Sequence, residues 1–252
     1  MLRTERLGFR LAVLLACTML AGCDALGNFI PGMSGYKTAP SGGKTTLLTF
    51  ETPSMPFENA AKGEATGFAA GNWAVVDGKL QQTQGATDNL ANHLKYTGDA
   101  FGDQGGKAGL AYRVSVDCTV AKEADSPAVH GYPVGVLAMM PYYKDPTHYV
   151  MLVADKQNLS CWVVNGQRPA GSEWPADARI WDEWLAEPLD AKASVRWGAE
   201  VDVDKNELVI YVNDQKKATR KVPMINRDPH WIALGANGNY AQFDNFKIVW
   251  TK

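Results

Sequence analysis

Two stretches of the chain alternate apolar and polar residues almost without a break, and that period of two limits what the chain can fold into. In Gly109-Leu-Ala-Tyr-Arg-Val-Ser-Val-Asp-Cys118, the residues Leu110, Tyr112, Val114, Val116 and Cys118 share one face. From Ala193 to Asp204, Val195, Trp197, Ala199, Val201 and Val203 do the same. Successive side chains of a strand point to opposite sides of a sheet, so each stretch reads as a strand with one buried and one wet face. Further strands are expected at Thr45 to Phe50, Asn72 to Leu80, Tyr132 to Tyr143, His148 to Ala154, Leu159 to Val164, Leu208 to Asn213, Trp231 to Gly235 and Phe243 to Trp250. Asp77-Gly78 breaks the second of these, because that dipeptide suits the positive backbone angles of a tight hairpin. Many short strands separated by turn signals predict an all-β sandwich or barrel.

One segment has a helical period. Asp177-Ala-Arg-Ile-Trp-Asp-Glu-Trp-Leu-Ala-Glu187 follows Pro175 and stops before Pro188, with Ile180, Trp184 and Leu185 roughly on one side. A short helix is expected there. It lies inside a long insertion, Asn165 to Asp190, and insertions of that length in a compact β domain usually carry function.

The N-terminus reads as an address. Arg3, Arg6 and Arg10 precede the apolar run Leu11 to Leu20, too short for a permanent membrane span. Leu20-Ala21-Gly22-Cys23 then resembles the bacterial lipobox, in which the cysteine is lipidated and cleavage falls just before it. Residues 1–22 are thus the expected signal peptide, Cys23 the lipidation site, and 23–44 a Gly/Pro/Ser-rich tether. The folded domain is expected over 45–252. The resemblance implies export and anchoring to a bacterial membrane, and Asp24 after the cysteine resembles an inner-membrane retention signal. A formal net charge of -2 with no basic stripe argues against nucleic acid as a partner.

Three segments together carry a resemblance to a fold family. They are Asn72-Trp-Ala-Val-Val-Asp-Gly-Lys-Leu80, the run from Ala193 to Asp214, and the closing run from Trp231 to Trp250. Their order resembles concanavalin A-like (laminin-G-like) jelly rolls, which implies a jelly-roll β-sandwich over 45–252. That family includes sugar-binding modules, glycoside hydrolases and adhesion domains, so the fold leaves function open. No cofactor is required. Calcium is a candidate ligand near Asp244 and Asn245, because related jelly rolls bind it structurally; the other reading of that pair is a turn before the last strand.

Glu200, Asp202 and Asp204 resemble the Glu-x-Asp-x-(x)-Glu ladder of laminarinase-type glycoside hydrolases. They continue a row that looks solvent-facing, and the third lies at a hairpin tip. A retaining glycosidase needs two carboxyls about 5 Å apart, one with a raised pKa. The wet side of a hairpin is therefore the better reading, and no catalytic residue is assigned.

Among eight tryptophans, Trp73, Trp197 and Trp250 fall in alternating strands and suit a core. Trp174, Trp181 and Trp184 fall in the insertion. With Tyr142 and Tyr143 they could form a platform on which sugar rings stack, while Asp177, Asp182 and Glu183 accept hydrogen bonds from hydroxyls; the alternative is a self-packed lid. Cys118 and Cys161 remain after processing, either as a disulfide or as two separately buried thiols. The four histidines, His93, His130, His148 and His230, lack metal-ligand spacing. The expectation is a membrane-anchored envelope lipoprotein whose jelly roll binds a glycan without turning it over. The alternatives are a protein-interaction module of the envelope and a glycoside hydrolase-like enzyme.

Overall fold

The computed structural model describes residues 44–51, 56–59, 72–83, 92–98, 100–102, 110–123, 136–154, 157–166, 177–187, 194–237 and 239–250. These residues form fifteen strands: β1 (Thr45–Leu48), β2 (Phe57–Asn59), β3 (Trp73–Val76), β4 (Lys79–Gln82), β5 (Asn92–Tyr96), β6 (Ala111–Glu123), β7 (Val136–Asp145), β8 (His148–Ala154), β9 (Asn158–Asn165), β10 (Arg179–Trp184), β11 (Ser194–Asp202), β12 (Glu207–Val212), β13 (Gln215–Lys221), β14 (Trp231–Asn237) and β15 (Asn239–Trp250). Every pairing is antiparallel. One sheet has eight strands in the order β13-β12-β11-β6-β15-β4-β3, with β1 added along β15. The other has seven, in the order β10-β9-β8-β7-β14-β5-β2.

The alternation seen in the sequence becomes the core. Tyr112, Val114, Val116 and Cys118 of β6 are almost wholly buried, as are Val195, Trp197, Ala199 and Val201 of β11. They belong to one cluster with Leu137, Met139 and Tyr142 of β7, Val150 and Leu152 of β8, and Ile232 and Leu234 of β14. Each such side chain contributes about 1.5–3 kcal/mol on leaving water. Two-residue turns close two of the hairpins. Asp77 and Gly78 have φ of 51° and 72°, and Asn213 and Asp214 have 49° and 64°. Two consecutive positive values match the right-handed twist of the flanking strands, and Asn, Asp and Gly tolerate them.

The expected helix at Asp177 to Glu187 is instead strand β10. It pairs with β9 from Arg179↔Trp162 to Trp184↔Asn158, with a bulge between Arg179 and Trp181. The physical reason is tertiary. Without β10, one side of β9 would present a row of unpaired N–H and C=O groups. An extended segment satisfies them while Trp181 turns into the core, where it is 9% exposed. Aromatic and β-branched residues suit such a position. β10 is also tied to the edge of the opposite sheet. Arg220 of β13 donates to the Ile180 carbonyl at 2.8 Å, and Lys217 pairs with Glu183 at 2.8 Å.

Of the two readings of the cysteines, separately buried thiols is the one the structure has. Cys118 and Cys161 are both free and buried. They come from opposite sheets, on β6 and β9, and each fills an apolar core position as a small hydrophobe.

One end of the sandwich is sealed by the segment from Val222 to His230, which carries the chain from the eight-stranded sheet to the seven-stranded one. Arg227 pairs with Asp204 at 2.6 Å, and Lys144 pairs with Asp228 at 2.7 Å. Asn206 donates its side-chain amide to the Ile225 carbonyl, and the Tyr142 hydroxyl donates to Asn226 at 3.3 Å. Below this segment lies an aromatic stack. Phe101 packs on Tyr112, Trp250 and His230, with ring centroids 4.2, 5.6 and 5.8 Å away. The Tyr112 hydroxyl donates to the Pro141 carbonyl at 2.7 Å and lies 3.1 Å from His230 Nε2. Phe101 and His230 also form an antiparallel bridge.

Candidate functional site

The outer faces of the two sheets differ in chemistry. On the eight-stranded sheet the acid ladder is committed to ion pairs. Glu200 lies opposite Arg113 and meets its guanidinium at 2.6 Å. That guanidinium also lies 4.6 Å from the centre of the Tyr211 ring. Asp202 pairs with Lys205 at 2.7 Å, and Asp204 with Arg227 at 2.6 Å. Nearby, Arg196 bonds Asp117 at 2.6 Å and Asp214 at 3.2 Å. The three acids therefore share a surface but do not converge on one point where a reacting atom could sit. These three acids do not form the pair of cooperating carboxyls that glycoside hydrolysis requires.

Asp244 and Asn245 lie on this same face, at a bulge of β15 where Asn245 has φ 50°. The Asn245 backbone N–H donates to Asp244 at 2.7 Å, and its side-chain amide donates to Asp117 at 2.8 Å. Asp244 borders a hollow of about 150 Å³ together with Lys79, Asp117, Thr119, Ser194 and Gln242. Burial and the neighbouring Asp117 raise its pKa. Calcium needs six to eight converging oxygens. Here one Asp244 oxygen and both Asp117 oxygens accept from protein donors, and Asn245 turns its nitrogen toward Asp117. These residues fit a hydrogen-bonded turn and do not fit a calcium cage. Among the described residues no group of three or more His, Cys, Asp and Glu side chains is placed to hold a metal ion.

The outer face of the seven-stranded sheet has an apolar centre and an open, mixed margin. At the centre Met140, Tyr143, Tyr149, Val164 and Ala233 form a second cluster, all buried. His93 stands edge-on to Tyr143 and Tyr149, with ring centroids 6.2 and 5.4 Å away. Burial lowers its pKa to about 3. The buried Tyr143 hydroxyl has no hydrogen-bond partner among the described residues. Gly235 makes room for this cluster: a Cβ there would come within 3.0 Å of Met140 and 3.2 Å of His93.

The expected tyrosine platform is therefore corrected. Tyr142 and Tyr143 are 0% and 1% exposed and offer no ring to solvent. A register shift in β7 between Met139 and Tyr142 sends Tyr142 into the core and Tyr143 into the outer cluster. Trp181, likewise, packs in the core. Cys23 and Trp174 lie outside the described residues.

The margin formed by β9 and β10 is different. Trp184 is 68% exposed, the most exposed large apolar side chain among the described residues. It lies opposite Asn158, and Asp182 lies opposite Ser160 on the same face. Asp182 is exposed and makes no ion pair among the described residues. Asp177 is exposed in the turn that precedes β10. Trp162, a site residue not anticipated from the sequence, lies opposite Arg179 and donates its indole N–H to Ser160 at 2.8 Å. The signal for it was present: in Leu159-Ser-Cys-Trp-Val-Val164 the row of Ser160 and Trp162 alternates with the inward row of Leu159 and Cys161. At the β7–β8 hairpin, Asp145, Thr147 and His148 are also close. However, the carboxylate and the hydroxyl both meet the same ring nitrogen, which makes a turn and not a nucleophile–base relay.

No family model matches the sequence, and no curated protein matches it either. Solved structures do match the fold. The carbohydrate recognition domain of Emp47p is 14% identical, with a TM-score of 0.53 over 82% of this chain and 93% of that one. Arcelin-5, a lectin-like defense protein from Phaseolus vulgaris, is 9% identical, with a TM-score of 0.52 over 82% and 98%. The endo-beta-1,3-glucanase from Pyrococcus furiosus is 11% identical, with a TM-score of 0.52 over 81% and 93%. At such identities the likeness is one of fold. Two packed antiparallel sheets, matching lectin-like and glucanase structures in overall fold, give this chain the fold of a concanavalin A-like jelly-roll β-sandwich.

Proposed function

We propose that the domain binds a glycan on the outer face of β9 and β10 and does not turn it over, and that lipid on Cys23 holds it to a membrane. The observation behind the first part is the contrast between the two outer faces. On the eight-stranded sheet the acids of the ladder are neutralised by cations. On β10 an exposed indole, Trp184, stands beside the carboxylate of Asp182, which makes no ion pair among the described residues. An indole offers a flat apolar surface to the C–H face of a sugar ring, and a carboxylate accepts from its hydroxyls. The lectin-like and carbohydrate-recognition structures that share this fold support the reading. The glucanase likeness stands against it, but the acids at Glu200, Asp202 and Asp204 lie on the other sheet and in ion pairs.

The test uses the full chain in detergent with a panel of soluble and insoluble polysaccharides, peptidoglycan included. Retention without release of reducing sugar is expected. Trp184→Ala should weaken retention at least tenfold, equivalent to about 1.4 kcal/mol, with an unchanged melting temperature. Release of reducing sugar would replace the binder with an enzyme. Absence of retention would shift the weight to a protein partner meeting the same indole.

The anchoring part rests on the order of basic residues, short apolar run and Leu-Ala-Gly-Cys. Lipid adds about 0.8 kcal/mol per buried methylene, enough for stable attachment when several chains share one cysteine. The mass of the mature chain should exceed that of residues 23–252 by the attached acyl groups, and Cys23→Ala should abolish both the excess and membrane sedimentation.

A further inference from the structure

Arg179 is bound differently from the other arginines of the described chain. Arg113, Arg196 and Arg227 each bond a carboxylate. Arg220 is spent on the Ile180 and Thr219 carbonyls. Arg179 is exposed, pairs with no carboxylate among the described residues, and lies with its guanidinium 5.5 Å from the centre of the Trp162 ring. Trp162 is itself fixed through its indole N–H to Ser160. A ring held in this way sets the plane of the guanidinium in advance. The fork of N–H donors meets no carboxylate among the described residues. Such a fork matches a carboxylate in two parallel hydrogen bonds. Because it is already oriented, less side-chain freedom is lost when the carboxylate arrives.

Its position relative to Trp184 adds a length requirement. Arg179 lies opposite Trp162 and Trp184 opposite Asn158, four residues apart along β9. At about 3.3 Å per residue the two groups are separated by about 13 Å. A single sugar ring cannot reach both. Asp182 lies between them, opposite Ser160. An anion placed there would be repelled, so hydroxyls belong beside Asp182 and negative charge belongs at the Arg179 end.

We infer that Arg179 makes this face selective for a linear glycan carrying carboxylates, such as a polyuronate, over neutral glycans. The inference rests on the reading of the β9–β10 face as a glycan site. The experiment measures binding of the full chain in detergent to a linear polyuronate, a neutral linear β-glucan and poly-glutamate. Wild type should bind the polyuronate at least tenfold more tightly than either of the others. Arg179→Gln should cut that preference at least tenfold, and Arg179→Lys should restore only part of it, because an ammonium keeps the charge but lacks the fork. Both variants should melt at the wild-type temperature. Trp184→Ala should weaken every glycan tested. If the neutral glucan is bound as well as the polyuronate, or if Arg179→Gln keeps the preference, the selectivity fails while the glycan site stands. Equal binding of poly-glutamate would mean that charge alone is sensed, and would overturn the inference. Binding of none of the three would remove both the inference and the site.

Discussion

Lowering the pH from 7.5 to 4 is expected to destabilise the domain by on the order of 3 kcal/mol for each of two buried histidines. His93 and His230 are 2% and 0% exposed. Burial lowers the pKa of His93 to about 3 and that of His230 to about 4, from 6.5. His230 is surrounded by Tyr112 of β6, Tyr142 of β7 and Phe101, and only Asp228, itself paired with Lys144, favours its charged form. In the unfolded chain both imidazoles take up a proton as the pH falls through 6.5. In the folded chain they stay neutral until about 4 and about 3. The unfolded state therefore binds more protons across this window, and stability falls as pH falls. Against a total of about 5–15 kcal/mol for an ordinary domain, the combined loss brings this one close to its unfolding midpoint. Denaturant titrations at pH 7.5, 6, 5 and 4 measure the slope. His93→Gln and His230→Gln should each flatten it. A variant profile parallel to wild type would show that the removed imidazole does not resist protonation.

Gly102→Ala is expected to cost about 2–4 kcal/mol, combining backbone strain with overpacking. Gly102 has φ 87°, a region that a side chain makes costly. An added Cβ would also lie 2.6 Å from both the Arg227 and Asp228 carbonyl oxygens. Those atoms belong to the sealing segment, which is held by Arg227–Asp204 and Lys144–Asp228, so neither can yield without breaking a tie. The neighbouring Phe101–His230 bridge would shift with them. Thermal melting checks this prediction. As a control, Gly78→Ala has positive φ but nothing within 4 Å of the added atom, so it should show the strain alone, about 1 kcal/mol.

The architecture was legible wherever one face of a strand is dry and the other wet. β6 and β11 are such strands, and β8 has the expected bounds of His148 to Ala154. The failures have specific causes. Arg179 to Trp184 carries a pattern that serves a helix as well as an edge strand, and only the open side of β9 decides between them. Tyr143 lies on an outward row that an alternation rule assigns to solvent, yet a second cluster buries it. Cys118 and Cys161 both fall on apolar rows, and their pairing, which the sequence left open, depends on where opposite sheets place them. The stack of Arg179 on Trp162 joins residues seventeen apart through a bulged pairing, and no spacing in the chain announces it. The charge partners of Glu200 and Asp204, namely Arg113 and Arg227, were hidden by distance along the chain, whereas Lys205 follows Asp202 by three residues.

The order in which the chain is made meets an obstacle in β15. This strand, near the end of the sequence, lies in the middle of the eight-stranded sheet, with β6 along one side and β4 and β1 along the other. Thr45 lies opposite Val249, so β1 waits for β15. Until residues 239–250 emerge, β1 has no partner and one side of β6 stays open. Long-range antiparallel pairing of this kind is slow to close and exposes strand edges in the meantime. The eight-stranded sheet thus closes only once β15 has been made, and a chain stopped short of Asn239 is left with two halves of a sheet and no strand to join them.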